Sequence, residues 1–231
     1  MIIYGGKNLL EFGVYVSAEG SYNAPSRSIT EEVIPGRNGT LIIDNGRYEN
    51  RVVTYPAYII EKLEANMAVL RAYLLSHTSY TRLEDTFHPD EYYLAMPTGG
   101  IEVQTSGRYN REGVFNLSFT CKPQRYLKSG EEVIHLTDAG TLYNPTMFVA
   151  KPLLRVYGNG EVHIGDSSFT IDTEAEYVDI DCEIEDCYSN GTNQNPYVTI
   201  DNFPEFPPGA NTISFEGEIT QVDVIPRWWT L

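Results

Sequence analysis

The sequence predicts a mainly β protein in two parts, an α+β first half and an all-β second half. Three observations carry that expectation. Short apolar runs alternate with turn residues along almost the whole chain. One segment, residues 61–76, changes instead to helical spacing. The charge balance breaks near Gly130: residues 1–130 hold 13 Lys+Arg against 14 Asp+Glu, and residues 131–231 hold 3 against 18. A break that sharp predicts two domains, 1–130 and 131–231.

The elements follow in order. Residues 40–44 form a short apolar run ending in Asn45-Gly46, a tight-turn signal, and residues 51–60 resume as a strand, which predicts a hairpin. Pro56 removes a ladder donor and predicts an edge position for the second strand. Within 61–76, Leu63, Met67, Leu70 and Leu74 recur every three or four residues, with Glu61, Lys62, Glu64 and Arg71 off the stripe. That is a four-turn amphipathic helix whose apolar stripe should pack on the sheet of its own domain. Residues 91–96 form the next strand. Residues 101–105 and 114–121 flank a turn around Gly107 and Gly113. Phe115, Leu117, Phe119 and Cys121 alternate with polar residues until Lys122-Pro123 ends the run. Beyond Gly130, strands are expected at 153–157, 161–164, 167–171, 177–184, 197–200, 211–215 and 221–225, with Gly158-Asn159-Gly160, Gly165-Asp166, Asn190-Gly191 and Pro207-Pro208-Gly209 at the turns. Seven short strands at this spacing make a β-sandwich or jelly roll.

The net charge of −16 sits almost wholly in the second half. That half repels phosphate backbones and anionic lipid, so neither nucleic-acid nor membrane binding is expected. Solubility alone also explains the acidity. Cys121, Cys182 and Cys187 are too few, and odd in number, for a disulfide framework. The opening MIIYGGKNLLEFGVYV has no cleavable-signal pattern, and no stretch approaches the ~20 apolar residues of a membrane span. The chain is therefore expected to fold in a cytosol.

No catalytic motif stands out. There is no phosphate-binding glycine loop, no His-Glu-x-x-His and no Gly-x-Ser-x-Gly elbow. His77, His88, His135 and His163 are scattered, with no shared catalytic or metal role expected. The acidic run 177–187 is the best metal candidate. On one continuous strand Asp179, Asp181, Glu183 and Glu185 would share a face and offer calcium hard oxygen ligands. The simpler reading of the same alternation is a half-buried strand with a solvated acidic face. Cys182 and Cys187, with four residues between them and no second pair, are weak zinc ligands. The expectation is a protein that is not an enzyme and carries no cofactor or metal.

The ordered series of segments resembles the distal tail protein (Dit) family of siphophages that infect Gram-positive bacteria. The pieces are Pro35-Gly36-Arg37-Asn38-Gly39, the amphipathic helix, RLEDTFHPDEYYLA at 82–95, FNLSFTCKP at 115–123, Asn144-Pro145, the turn 158–160, and FPPGANTISFEG…IPRWWTL at the end. The resemblance implies a β-sandwich-like, ring-forming first domain and a galectin-like or carbohydrate-module-like sandwich as the second. It also implies a homohexameric ring at the virion tail tip, single or stacked, with a central channel for DNA. The implied partners are the tail tube protein, the tape measure protein, the tail-tip or tail-associated protein, and receptor-binding or baseplate proteins. A carbohydrate-binding adhesin is the second function class. Trp228, Trp229, Tyr188 and Tyr197, with Tyr157 and Tyr177, are the rings available for sugar or partner contacts. Alternatively Trp228 and Trp229 pack inside: adjacent residues on an extended segment point to opposite sides, so one should enter the core. Arg227, the lone Lys or Arg of the final 75 residues, should find a carboxylate.

Overall fold

The computed structural model describes residues 1–21, 23–106 and 111–231. The chain divides into two compact units, Met1–Arg125 with Leu231, and Tyr126–Thr230.

The first unit opens with β1 (Ile2–Tyr4), β2 (Lys7–Asn8) and β3 (Tyr15–Val16), followed by β4 (Arg27–Val33), β5 (Thr40–Tyr48) and β6 (Arg51–Ile59). The helix α1 (Leu63–Leu75) comes next, then β7 (Thr81–Asp85), β8 (Glu91–Pro97), β9 (Gln104–Ser106) and β10 (Glu112–Leu127). The main sheet runs β2-β1-β7-β8-β10-β6-β3, with β9 also on β10. Its buried face carries Tyr4, Val53, Tyr55, Leu83, Ala95, Leu117 and Phe119, which share one core with the helix. Leu63, Met67, Leu70 and Leu74 are all buried there, as their spacing predicts. Gly113 lies inside β10 rather than in a turn. A Cβ on it would sit 2.6 Å from Val103 and 3.0 Å from Leu63, so the glycine lets the helix start close to the strand. Gly107 is outside the described residues. Tyr55 donates 2.7 Å to Asp85, and burial first, then the Asp85 charge, raise the phenol's pKa.

Three strand expectations are corrected. Asn45-Gly46 is not a hairpin turn but an irregularity within β5. The register shifts opposite it between Arg27 and Ile29, Gly46 takes φ +70°, and its N–H donates 2.9 Å to Asp44. Asn-Gly marks a left-handed backbone, which a bulge uses as readily as a turn. The hairpin is formed instead by β4 and β5 around residues 34–39. Second, β10 does not stop at Lys122-Pro123 but continues to Leu127. Third, β6 is not outermost, since β3 pairs with its Tyr58 and Ala57. Pro56 is tolerated because that outer neighbour is only two residues long; just beyond it the Ser17 N–H donates 2.9 Å to the Pro56 carbonyl.

The second unit is a two-sheet antiparallel β-sandwich. It contains β11 (Ile134–Leu136), β12 (Gly140–Asn144), β13 (Leu153–Tyr157), β14 (Gly160–Ile164), β15 (Ser167–Ile171) and β16 (Tyr177–Asp181). There follow β17 (Asp186–Ser189), β18 (Thr192–Asn193), β19 (Val198–Ile200), β20 (Gly209–Gly217), β21 (Gln221–Ile225) and β22 (Trp229–Thr230). One sheet is β11-β21-β13-β16-β17-β18 and the other β12-β20-β14-β15-β19. Leu154, Val178, Ile180, Val222 and Val224 from the first pack with Val162, Ile164, Phe169, Ile171 and Ile213 from the second. Asn144 explains its own place before Pro145. It is buried, donates to the Phe148 and Phe206 carbonyls at 2.9 Å each, and accepts from the Thr146 N–H and hydroxyl at 2.9 Å each. Gly160 is required by a close approach: a Cβ would lie 2.0 Å from the Glu216 carbonyl oxygen.

All three cysteines are free and buried. Burial pushes the thiols up, Cys121 and Cys182 to about 12 and Cys187 to about 11. Among the described residues, no helix is long and apolar enough to cross a membrane.

Candidate functional site

The β4–β5 hairpin is a two-stranded sheet of its own. Its register pairs Thr30 with Ile43, Glu31 with Ile42, Glu32 with Leu41 and Val33 with Thr40. Strand alternation therefore puts Ile29, Val33 and Ile42 on one face and Leu41 and Ile43 on the other. All five are exposed, as is Ile34, with Val33 at 79% and Ile42 at 61%. Polar contacts hold the ribbon without covering these side chains. Arg27 pairs with Asp44 and lies 5.3 Å over the Tyr48 ring, and the Thr40 hydroxyl donates 3.3 Å to Glu31. The Gly46 N–H and Arg27 hold Asp44 below the usual carboxylate range. An isolated hairpin is marginal in water, and a patch of exposed aliphatics is the ordinary mark of an interaction surface. Sequence periodicity passes over this site because both faces mix aliphatic with polar residues.

The acidic run does not form the carboxylate ladder. The strand ends at Asp181 and residues 182–185 turn, so the four groups share no face. Nor is the run a solvated acidic face, because Asp179 and Asp181 are both buried. Asp179 receives a two-pronged bond from Arg155, Nε to Oδ1 at 2.6 Å and a terminal nitrogen to Oδ2 at 2.9 Å. Arg227 grips Asp181 in the same way at 2.6 and 2.9 Å, the carboxylate partner expected for it. Burial pushes the Asp181 carboxyl up, but the Arg227 hydrogen bonds and charge, with the Glu183 and Ile184 N–H groups, bring it below its ordinary value.

That shift has a testable sign. A lowered carboxylate contributes stability above its unfolded pKa of about 3.9 and loses it as pH falls through the folded value. Arg227→Ala leaves a buried carboxylate without its partner and should cost about 3 kcal/mol at pH 7. Calorimetric melting at pH 7 and pH 3 checks this: the gap between parent and variant should narrow at pH 3. A gap that stays constant would remove the pair from the account of stability.

The four aromatic candidates sit in different settings. Trp228 is 4% exposed and lies 5.6 Å from the Phe206 ring in the core. Trp229 stacks on Phe148 at 4.5 Å and its indole N–H donates 2.9 Å to the Val149 carbonyl. Trp228 thus sits inside the core, while Trp229 is half-buried and packs against it. Tyr188 is half-buried on β17 opposite Asp179, its phenol raised by burial and by Asp181. Tyr197 is exposed before β19. A cleft of about 710 Å³ in this unit is lined instead by Lys151, Asp166, Glu185, Phe203 and Glu205 among others. The histidines are dispersed. His77 and His88 belong to the first unit, and His135 and His163 to different sheets of the second.

No protein-family model and no curated protein matches the chain. The solved structures do. The crystal structure of the Dit protein of phage SPP1, a paradigm of the hub adsorption apparatus in phages infecting Gram-positive bacteria, aligns with a TM-score of 0.76. The alignment covers 100% of this chain and 98% of that one at 14% identity. The chain shares its fold with that structure. The baseplate of phage p2, in its activated conformation with strontium, gives a weaker likeness: TM-score 0.48, 11% identity, 94% of this chain and 92% of that one. The alignment with SPP1 Dit embraces the helix-bearing first unit and the sandwich alike.

Proposed function

We propose that the chain is a structural hub protein of a phage tail tip, without catalytic activity. In this reading the first unit closes a homohexameric ring with a central channel for DNA. The ring joins the tail tube and tape measure protein to tail-tip, baseplate or receptor-binding proteins. The second unit is a peripheral sandwich of the galectin-like kind. The observation that carries the reading is the full-length likeness to SPP1 Dit, with both chains covered almost end to end. The β4–β5 hairpin supports it, because a self-assembling unit needs an apolar surface left over after its own core is made. Burying a Val or Ile side chain contributes about 1.5–3 kcal/mol, so the exposed aliphatics of one hairpin can offset much of the cost of association. The charge distribution agrees: the unit assigned to the ring carries little net charge, and the acidity lies in the other.

The test is assembly. The parent, alone or mixed with the tail-tube and tail-tip proteins of its phage, should give sixfold rings with a central opening in negative stain. Replacing Val33 and Ile42 together by Lys should leave the melting temperature within a degree or two, since both side chains are exposed, and should abolish the rings. A parent that never enters a ring with any of these proteins defeats the reading. Rings formed equally by the double variant would move the interface away from the hairpin.

A further inference from the structure

On β14, Glu161 and His163 lie two residues apart and so project from the same face of the sheet. On the adjacent β20, Glu216 stands directly opposite Glu161. The three offer one ligand atom each, an imidazole nitrogen and two carboxylate oxygens, all within 4.8 Å of one another. His163 Nε2 is 3.7 Å from Glu161 Oε1. Around a tetrahedral ion with bonds of about 2.1 Å, ligand atoms stand about 3.4 Å apart. The three groups are therefore within small side-chain rotations of a shared ion.

A bound cation would also relieve a like-charge pair. Two glutamates facing each other across neighbouring strands repel. Beyond Gly130 the only lysines and arginines are Lys151, Arg155 and Arg227, and each is engaged elsewhere. Lys151 lies 3.6 Å from Glu185 and 3.8 Å from Glu205, Arg155 grips Asp179, and Arg227 grips Asp181. The backbone beneath the cluster is also firm. β14 is the middle strand of its sheet, bonded to β20 on one side and β15 on the other, so the ligand-bearing positions are set by two ladders rather than by a loop.

We propose that Glu161, His163 and Glu216 form a binding site for a first-row divalent transition ion, with zinc the natural occupant. An imidazole nitrogen selects such ions over calcium and magnesium, which prefer all-oxygen sets. Binding takes the neutral imidazole and both carboxylates, neutralises the cross-strand repulsion and ties β14 to β20. Three protein ligands leave a coordination position open to solvent or to a donor from a neighbouring molecule. The ligands are 55 residues apart in sequence (161 to 216), which is why no spacing motif announces them.

Isothermal titration of the full chain with Zn²⁺, in chelator-free buffer at pH 7.5, should show one saturable site. Co²⁺ in its place should bring visible absorption bands of nitrogen–oxygen ligation. His163→Ala and Glu216→Gln should each weaken binding at least tenfold. His135→Ala, which removes another exposed imidazole, should leave it unchanged. Without metal, Glu216→Gln should melt no lower than the parent, because it relieves repulsion. No saturable zinc binding by the parent overturns the site, as does binding that survives both His163→Ala and Glu216→Gln. Calcium binding of equal strength that His163→Ala leaves unchanged would overturn it as well.

Discussion

Leu70→Asp is expected to unfold the first unit at temperatures where the parent is native. Leu70 is 0% exposed, in the middle of the stripe that α1 places in the core. Truncating a buried leucine costs about 2–5 kcal/mol through lost transfer energy and the cavity left behind. A carboxylate at the same place adds the penalty of an unpaired buried polar group, a further few kcal/mol. The sum is comparable with the whole stability of a typical domain, roughly 5–15 kcal/mol. Circular dichroism melts should show the first transition lost or shifted down by tens of degrees, with the sandwich transition retained. Val69, one residue earlier and 54% exposed, is the internal control; Val69→Asp should change stability by no more than about 0.5 kcal/mol. A Leu70→Asp protein that melts like its parent would remove the helix from the core.

Trp228→Ala should produce the largest single loss in the second unit. The ring is 4% exposed, packs 5.6 Å from Phe206, and its residue's carbonyl accepts 2.9 Å from the Leu127 N–H. Phe or Trp truncation in a core costs about 3–5 kcal/mol. Gly130 sharpens the case, since its place for a Cβ is already filled, 2.3 Å away, by the Trp228 backbone nitrogen. The backbone is thus pinned on one side and cannot collapse freely into the void. Trp229→Ala should cost less, because that ring is only half-buried and stacks on Phe148. Urea titration of the two variants checks the order; equal losses would mean that both rings are structural to the same degree.

How much of this was legible in the sequence follows from the range of the forces involved. The helix was readable because Leu63, Met67, Leu70 and Leu74 obey a local period that core packing alone imposes. The strands at 153–157, 167–171 and 221–225 were readable for the same reason. The hairpin was misplaced because Asn45-Gly46 reports a backbone handedness and not its use, and β4 itself, with one buried residue in seven, has no alternation to detect. The fate of Asp179 and Asp181 was illegible because their arginines come from positions 155 and 227, and nothing local distinguishes a paired carboxylate from a solvated one. Arg227 was the exception, since a lone cation among many acids has few alternatives to pairing.

The three buried thiols have a practical consequence. The thiolate is the reactive form of cysteine, and groups with pKa values of about 11 to 12 hold almost none of it at neutral pH. Maleimide dyes and atmospheric oxygen should therefore pass this chain by, and a single Thr40→Cys substitution would give it one addressable handle. Thr40 lies at the start of β5, beside the exposed aliphatics. A fluorophore there would change colour or brightness as the hairpin leaves water for a neighbour, so that subunit docking becomes a signal readable in a cuvette without removing any native cysteine.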